Sequence, residues 1–572
     1  MNAVELQSYI SEAYRAGQKR VVIPRGEYRL AKLPDDEACL FFRGLEDFEI
    51  DATNVTFLIC GKAQSIRLER CRNVTLKGGV FRHEIPPFSQ GRIEHVDQGR
   101  RWFDVRIDTG YLQDIDNPQY FFRPGTPKFV NIFDPNTREL KPGLDDLFFS
   151  EVQRIKAGWF RFVFAKPLAQ RFQIKEGDLA SWRGVVAPDL FLIECEGLQV
   201  TDMVIQSGSG FVIYEAGGNG GNVYRRCRIE RGPAPKGGTE RPLFSANADG
   251  FHSVSVRRGP QLVDCRFEHM NDDCIAIHGV SYLVLEADDR TLTVAAAPQS
   301  HPYYSEAGDT LRIYDENGAS VDESKIISIT PSPGYKITQD LSSFSQYENE
   351  RKSGTLKVYT VVLDKACPAR FPWFAVNADT QGSGFAIRNC RVGFNRPRGM
   401  LIQAGDGIIE GCTVEGSAIG GIIVAPDMHF WAEGDYARNL MIRDNVLRNV
   451  GIWTQIGAVN ISCWWGRGYD RFTPAGGHQN VTVSGNIFEN NDGLNVLVSS
   501  ATNVSITNNR FISPGKNLEP YPFNAPEGAL GWIVNSRNIT VEGNAIINPG
   551  AYLKSEFVFS PPPANPPMNH EQ

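Results

Sequence analysis

The 572-residue chain is too long for one ordinary compact core, which leaves two to four domains or one elongated repeat domain. Its 41% apolar and 22% charged residues describe a soluble globular protein, and 55 glycines with Asn-rich turns favour many short strands over long helices. A net charge of −7 without a Lys/Arg run argues against nucleic acid or an anionic membrane surface as a partner.

No apolar stretch of about 18 residues is present, so no membrane span is expected. The N-terminus, Met1-Asn-Ala-Val-Glu-Leu-Gln-Ser-Tyr, lacks a basic region followed by an apolar one, so no signal peptide is visible. The compartment stays undecided: periplasmic or secreted if a leader has been removed, otherwise cytoplasmic. Eleven cysteines with no C-x-x-C pair argue against a disulfide framework or a structural zinc site.

Residues 3–16 carry apolar side chains at helical spacing and stop at Gly17, which predicts a helix capping the open end of a stacked sheet. A strand follows from Val21. Then a repeat emerges. Asn73-Val-Thr-Leu, Asn439-Leu-Met-Ile, Asn480-Val-Thr-Val, Asn503-Val-Ser-Ile and Asn538-Ile-Thr-Val open equivalent units. In that register Asn445, Asn486, Asn509 and Asn544 share one position, and Cys227, Cys265, Cys390 and Cys412 hold it upstream. The spacing is 22 residues from Cys390 to Cys412 and 23 from Asn486 to Asn509. A period in the low twenties, with alternating Val/Ile strands and Asn or Gly corners, indicates an all-β solenoid, a parallel β-helix of about eleven coils; a right-handed coil is expected from the prevalence of that hand among such folds, not from the residues. Stacked strands about 4.8 Å apart align equivalent side chains, so Asn ladders satisfy their own amides and small cysteines fill the inside.

Two stretches break the period. Residues 82–190 and 281–376 contain alternating strands with charged turns and are read as inserted antiparallel β domains. The scheme is therefore a cap and first coils over 1–81, the first insertion over 82–190, coils with an acidic site over 191–280, the second insertion over 281–376, coils over 377–550, and a flexible Pro-rich tail over 551–572.

Chemistry concentrates between Asn247 and Gly279. Asp249 and Asp272 lie 23 residues apart, one period, so with Asp273 they fall on neighbouring turns. In the same rung alignment Ser209, Asp249, Asp273, Arg398, Gly420 and Asp492 are expected in one line. Stacked carboxylates are unfavourable unless used, because like charges about 5 Å apart raise one pKa strongly. Without a metal motif, such a cluster fits glycoside hydrolysis, in which one acid protonates the leaving oxygen and a carboxylate activates water or attacks carbon. No cofactor or metal is expected. The partner is a carbohydrate, and homodimerisation stays open.

Asn247-x-Asp249 followed by Asp272-Asp273 resembles the Asn-x-Asp and Asp-Asp motifs of the β-helical polygalacturonases, glycoside hydrolase family 28. The 23-residue interval, the His278-Gly279 pair and the inserted domains resemble family 110, the exo-acting α-1,3-galactosidases, more closely. This resemblance covers about residues 20–550. It implies inversion of configuration at a terminal α-linked sugar, with Asp272 as general acid and Asp249 with Asp273 holding the attacking water. The polygalacturonase Gly-His-Gly motif is absent, and Arg396-Pro-Arg398 imitates only loosely its Arg-x-Lys motif, so a neutral sugar such as α-galactose is expected ahead of a uronate.

Further substrate-binding candidates are Asn247 in the first motif, His252 and His278 just after the acids, Arg398 and Gln403 on the next coil, Trp431 and Glu433 in the 429–434 loop, and Trp464. Either histidine can bind a sugar hydroxyl or pack at a strand end, and a tryptophan can stack on a sugar face or pack locally. The competing readings are a polygalacturonase-like hydrolase, a polysaccharide lyase, for which no acidic calcium loop is visible, and a non-catalytic carbohydrate-binding or tailspike-like solenoid.

Overall fold

The computed structural model describes residues 1–121, 128–184, 187–297, 304–454, 456–466, 469–517 and 525–560. One sheet of twelve parallel strands, one per turn, runs the length of the coil from Ala38–Arg43 to Ser555–Ser560. A 22-stranded parallel sheet supplies the other two sides, as pairs of short strands such as Gln261–Val263 and Arg266–Glu268 that meet at a corner. The chain is thus a parallel β-helix with twelve strands on its first side, against about eleven coils expected.

Corner chemistry explains why these residues coil. Asp264, Asn389, Asp444 and Asn508 take left-handed φ values of 56°, 53°, 56° and 57°, a conformation that short polar side chains tolerate. The next residue points inward. Asn445 Nδ2 donates to Asn486 Oδ1, Asn486 to Asn509 and Asn509 to Asn544, each at 3.0 Å. Upstream the same line is filled by Cys227, Cys265, Cys390 and Cys412, all buried free thiols. A second, outer ladder links Asn439, Asn480, Asn503 and Asn538 at 3.0–3.1 Å.

The predicted cap is present as Ala3–Arg15, opened by a capping box in which Asn2 and Glu5 satisfy each other's backbone N–H groups. Leu6 and Ile10 enter the core of the first coils. At the other end, the expected flexible tail is in part a strand. Ser555–Ser560 pairs in parallel with Ala529–Val534 and closes the stack, because Phe557 and Val558 still find apolar partners there. Residues 561–572 lie outside the described residues.

Between the strands Thr75–His83 and Leu190–Ile193, the first excursion folds into a seven-stranded antiparallel sheet with its own aromatic core. That core continues into Leu243, Phe244, Ala418 and Trp453 of the coils, so the sheet is docked along the solenoid. The second excursion is a closed six-stranded barrel that begins with Ser281–Asp288 and ends with Phe374–Asn377. Its cluster includes Met428, Tyr436 and Trp465 from later turns. Among the described residues, no helix is long and apolar enough to cross a membrane.

Candidate active site

The twelve-stranded sheet fixes the acids. Phe251 pairs with Ile275 and Ile275 with Met400, which places Asp249, Asp273 and Arg398 on three successive rungs, each two residues earlier. Gly250 is required between Asp249 and the strand, since a Cβ there would lie 2.7 Å from the Cys274 carbonyl oxygen. The expected line is corrected at its ends. Phe211, not Ser209, falls opposite Asp249, and Leu494, not Asp492, follows Gly420 by way of Val459 and Val496. Corners of unequal length shift the register by two residues, and Asp492 instead caps the backbone of Lys516 and Asn517.

Asp249, Asp272 and Asp273 each present an oxygen within 4.8 Å of the others. Asp249 and Asp273 are buried, and the Asp272 side chain is 26% exposed. Arg398 holds Asp273 with two prongs, Nε to Oδ1 at 2.8 Å and Nη2 to Oδ2 at 2.7 Å, and its backbone N–H adds a 3.2 Å bond to Oδ1. Arg183 and Arg396 each bring an Nη1 to 3.5 Å from Asp272. Three guanidinium groups therefore face three carboxyls. As a cation site the cluster is poorly disposed, because Arg398 and His252 already engage oxygens of Asp273 and Asp249.

Two of those arginines depend on the first inserted sheet. Arg396 pairs with Asp146 through both Nε and Nη2, and both Arg396 and Arg183 lie over the Phe129 ring, at 4.5 and 4.9 Å from its centroid. Phe129, Asp146 and Arg183 were not singled out in the sequence. They lie up to 143 residues from Asp272 and carry no repeat signal of their own.

Burial pushes the Asp273 carboxyl up to about 7 against the opposing pull of Arg398, and it pushes Asp249 well above the usual range, with Asp272 adding to the rise. His252 Nδ1 is 2.7 Å from Asp249 Oδ2, and His252 Nε2 is 3.0 Å from His278 Nε2. Both rings are held below their ordinary value by burial, His252 at about 3. Phe211 and Tyr214 pack on His252. Glu433, raised by burial to about 7, feels Arg398 and Asp249 across the site. Asp427, which shares two backbone bonds with Glu433 and accepts from Tyr469 Oη at 2.6 Å, is also raised by burial. Asp427 and Tyr469 were missed; the signal for Asp427 was its place beside the 429–434 loop.

Other predicted residues are placed elsewhere. Asn247 is wholly buried; its amide donates to the carbonyls of Pro87 and Ser209 and accepts from Gly184 N–H, so it fastens the first insertion to the coil. Gln403 is 1% exposed, donates to Ala425 O, and packs under Gly434, where it supports the loop that carries Glu433. Trp464 lies on Phe472, ring centroids 3.8 Å apart, as part of a local cluster with Trp532. Trp431 is 45% exposed and packs edge-on to Phe430 at the tip of its loop.

The right-handed β-helix region family matches residues 375–546, which agrees with the expected hand of the coil. An α-1,3-galactosidase B of Bacteroides thetaiotaomicron is 23% identical over 415 residues, 71% of this chain and 63% of that protein. An α-1,3-galactosidase A of Shewanella woodyi is 22% identical over 528 residues, 89% of this chain and 79% of that protein. An α-1,3-galactosidase B of Phocaeicola vulgatus is 22% identical over 543 residues, 87% and 83% of the two chains. The match to the Bacteroides protein thus spans less than two thirds of that protein's length.

Proposed function

We propose that this chain, related in sequence to α-1,3-galactosidases, is a glycoside hydrolase that removes a terminal α-linked galactose with inversion of configuration. The observation that carries the reading is the carboxyl triplet on one face of the coil, two members buried and one open, with Arg398 clasping Asp273. Such a cluster has no evident structural use, and burial raises the proton affinity of its two enclosed members, Asp249 and Asp273.

Asp272, the most open of the three, is placed to give its proton to the glycosidic oxygen as the bond to the anomeric carbon breaks. A water between Asp249 and Asp273 attacks that carbon from the other face and loses its proton to the pair. The oxygens within 4.8 Å are closer than the roughly 6.5–9.5 Å usual between the carboxyls of inverting enzymes. Inversion is nevertheless favoured over direct attack by a carboxylate. Arg398 fixes the Asp273 carboxylate with two prongs and His252 holds Asp249 Oδ2, so neither carboxyl is free to close on the anomeric carbon, while Asp273 keeps a lone pair for the proton of a water.

Action at a chain end is supported by the inserted sheet, whose Arg183 and Phe129 wall one side of Asp272. A uronate substrate is less well served, because Arg183, Arg396 and Arg398 each already face a carboxylate of the protein. A panel of α- and β-linked nitrophenyl glycosides tests the proposal. Cleavage confined to α-galactosides and lost in Asp272→Asn is expected; binding without cleavage by the unaltered protein would favour the carbohydrate-binding solenoid.

A further inference from the structure

The two histidines beside the acids form a hydrogen-bonded chain whose polarity can be read from one end. His278 Nδ1 lies 2.8 Å from the carbonyl oxygen of Gly279, which only accepts, so this nitrogen carries a hydrogen. Burial disfavours a second proton on the ring, which leaves His278 Nε2 bare. At 3.0 Å from it, His252 Nε2 must donate, because two bare nitrogens at that distance would oppose their lone pairs. A neutral His252 then accepts at Nδ1. Its partner there, at 2.7 Å, is Asp249 Oδ2, so the hydrogen in that bond belongs to the carboxyl.

We infer that His278, acting through His252, fixes a proton on Asp249, so that Asp249 orients the attacking water as a neutral acid and Asp273 alone takes the water's proton. The role given to the water rests on the hydrolase reading above; the position of the proton does not. The charge balance agrees. With Asp249 neutral, the two stacked rungs carry one negative charge, on Asp273, and Arg398 meets it with two prongs. Ionising both acids would set two anions about one strand spacing apart.

The groups that face this chain are few. Asp272, Asp273, Arg398 and Arg183 surround Asp249. His252 lies against the rings of Phe211 and Tyr214 and feels Asp272. His278 faces Glu433, whose own proton affinity is raised by burial, so little negative charge stands beside the ring below neutral pH. His278 is thus a positioning residue, since it reaches the water only through His252 and Asp249.

Nitrogen-15 NMR of the histidine-labelled full chain, without substrate, tests the assignment directly. His252 is expected to show a hydrogen on Nε2 and a bare Nδ1, and His278 a hydrogen on Nδ1 and a bare Nε2. A hydrogen on His252 Nδ1, in either the neutral or the charged ring, would overturn the inference. This readout needs no turnover, so the expected tautomers in a protein that cleaves no glycoside would sink the hydrolase reading and leave the proton assignment standing. In His278→Ala, His252 is free to reverse its tautomer and Asp249 to ionise. The expected result is a fall in kcat of about tenfold with KM changed less than about twofold, and an acid limb moved to higher pH because Asp273 then faces an anion. His278→Gln, whose amide oxygen can still accept from His252, recovers most of that loss. Equal losses and an unmoved limb in both variants would mean that His278 only packs.

Discussion

Asp273 and Arg398 stand 125 residues apart in sequence and on neighbouring rungs in space, joined by two hydrogen bonds of 2.8 and 2.7 Å. The whole second barrel is spliced between them, yet the register of the coil carries through it unbroken, from Ile275 to Met400. The pair fixes the position of the carboxylate and supplies the counter-charge that Asp273 meets on the neighbouring rung.

Removing either partner separates these roles. Asp273→Asn is expected to lower kcat by about 10³-fold and, because a largely enclosed guanidinium loses its counter-charge, to lower stability by about 2 kcal/mol. Arg398→Met leaves the carboxylate without a partner and raises its proton affinity further. Activity then survives only toward higher pH. Urea unfolding and pH–rate profiles of the two variants check both expectations.

Stability should depend on pH in a direction opposite to that set by salt-bridged surface acids. Asp249 is raised well above the ordinary range and Asp273 and Glu433 to about 7, so from about pH 4 to 7 the folded chain holds more protons than the unfolded one. Their contribution is therefore greatest below the ordinary carboxylate range and declines as pH rises through the raised values. Asp249→Asn, which replaces a carboxyl already neutral and whose amide N–H can still donate to His252 Nδ1, is expected to keep part of the turnover and raise Tm by about 1–2 °C at pH 8. A large loss of Tm would contradict the neutral assignment.

The kinetic counterpart lies in the acid limb of kcat/KM. Asp273 must be ionised to accept the water's proton, so the rate constant should rise with pH through about 7, the value to which burial lifts this group. A profile flat from pH 5 to 8 would remove Asp273 from the role of base.

Much of this was legible in the chain. The period of 22–23 residues and the shared Asn and Cys positions follow from coil geometry, because each rung repeats one inward corner. The acid triplet followed from the same period. What escaped was whatever the period does not govern: the register offset at Phe211 and Leu494, the last strand Ser555–Ser560, and the contribution of Phe129, Asp146 and Arg183 from an inserted sheet. Asn247 misled for a related reason. It shares a motif with Asp249, but its amide is spent on Pro87, Ser209 and Gly184, where the first insertion meets the coil.

The ladder offers a test of the fold apart from the site. Asn486 is fully buried and bonds to Asn445, Asn509 and the Ile442 carbonyl. Asn486→Ala takes the acceptor from the Asn445 backbone N–H and one of its amide hydrogens, and the donor from the Ile442 carbonyl, and should cost about 2–4 kcal/mol. Asn480→Ala, in the exposed outer ladder at φ 55°, should cost about 1 kcal/mol, chiefly for the left-handed backbone. Denaturant midpoints of the two variants give the comparison.

Phe129→Ala tests whether the inserted sheet takes part in the site. It removes the ring beneath Arg183 and Arg396, both 3.5 Å from Asp272. A fall in kcat/KM of about tenfold is expected, with coil stability little altered. An unchanged kcat/KM would reduce the sheet to a structural buttress.

The most direct measurement is anomer-resolved NMR of the sugar first released from an α-linked galactoside. The water route predicts β-galactose as the initial product, followed by slow mutarotation. Initial release of α-galactose would mean that a carboxylate bonds to the anomeric carbon despite the clasp of Arg398 and His252, and would contradict the account.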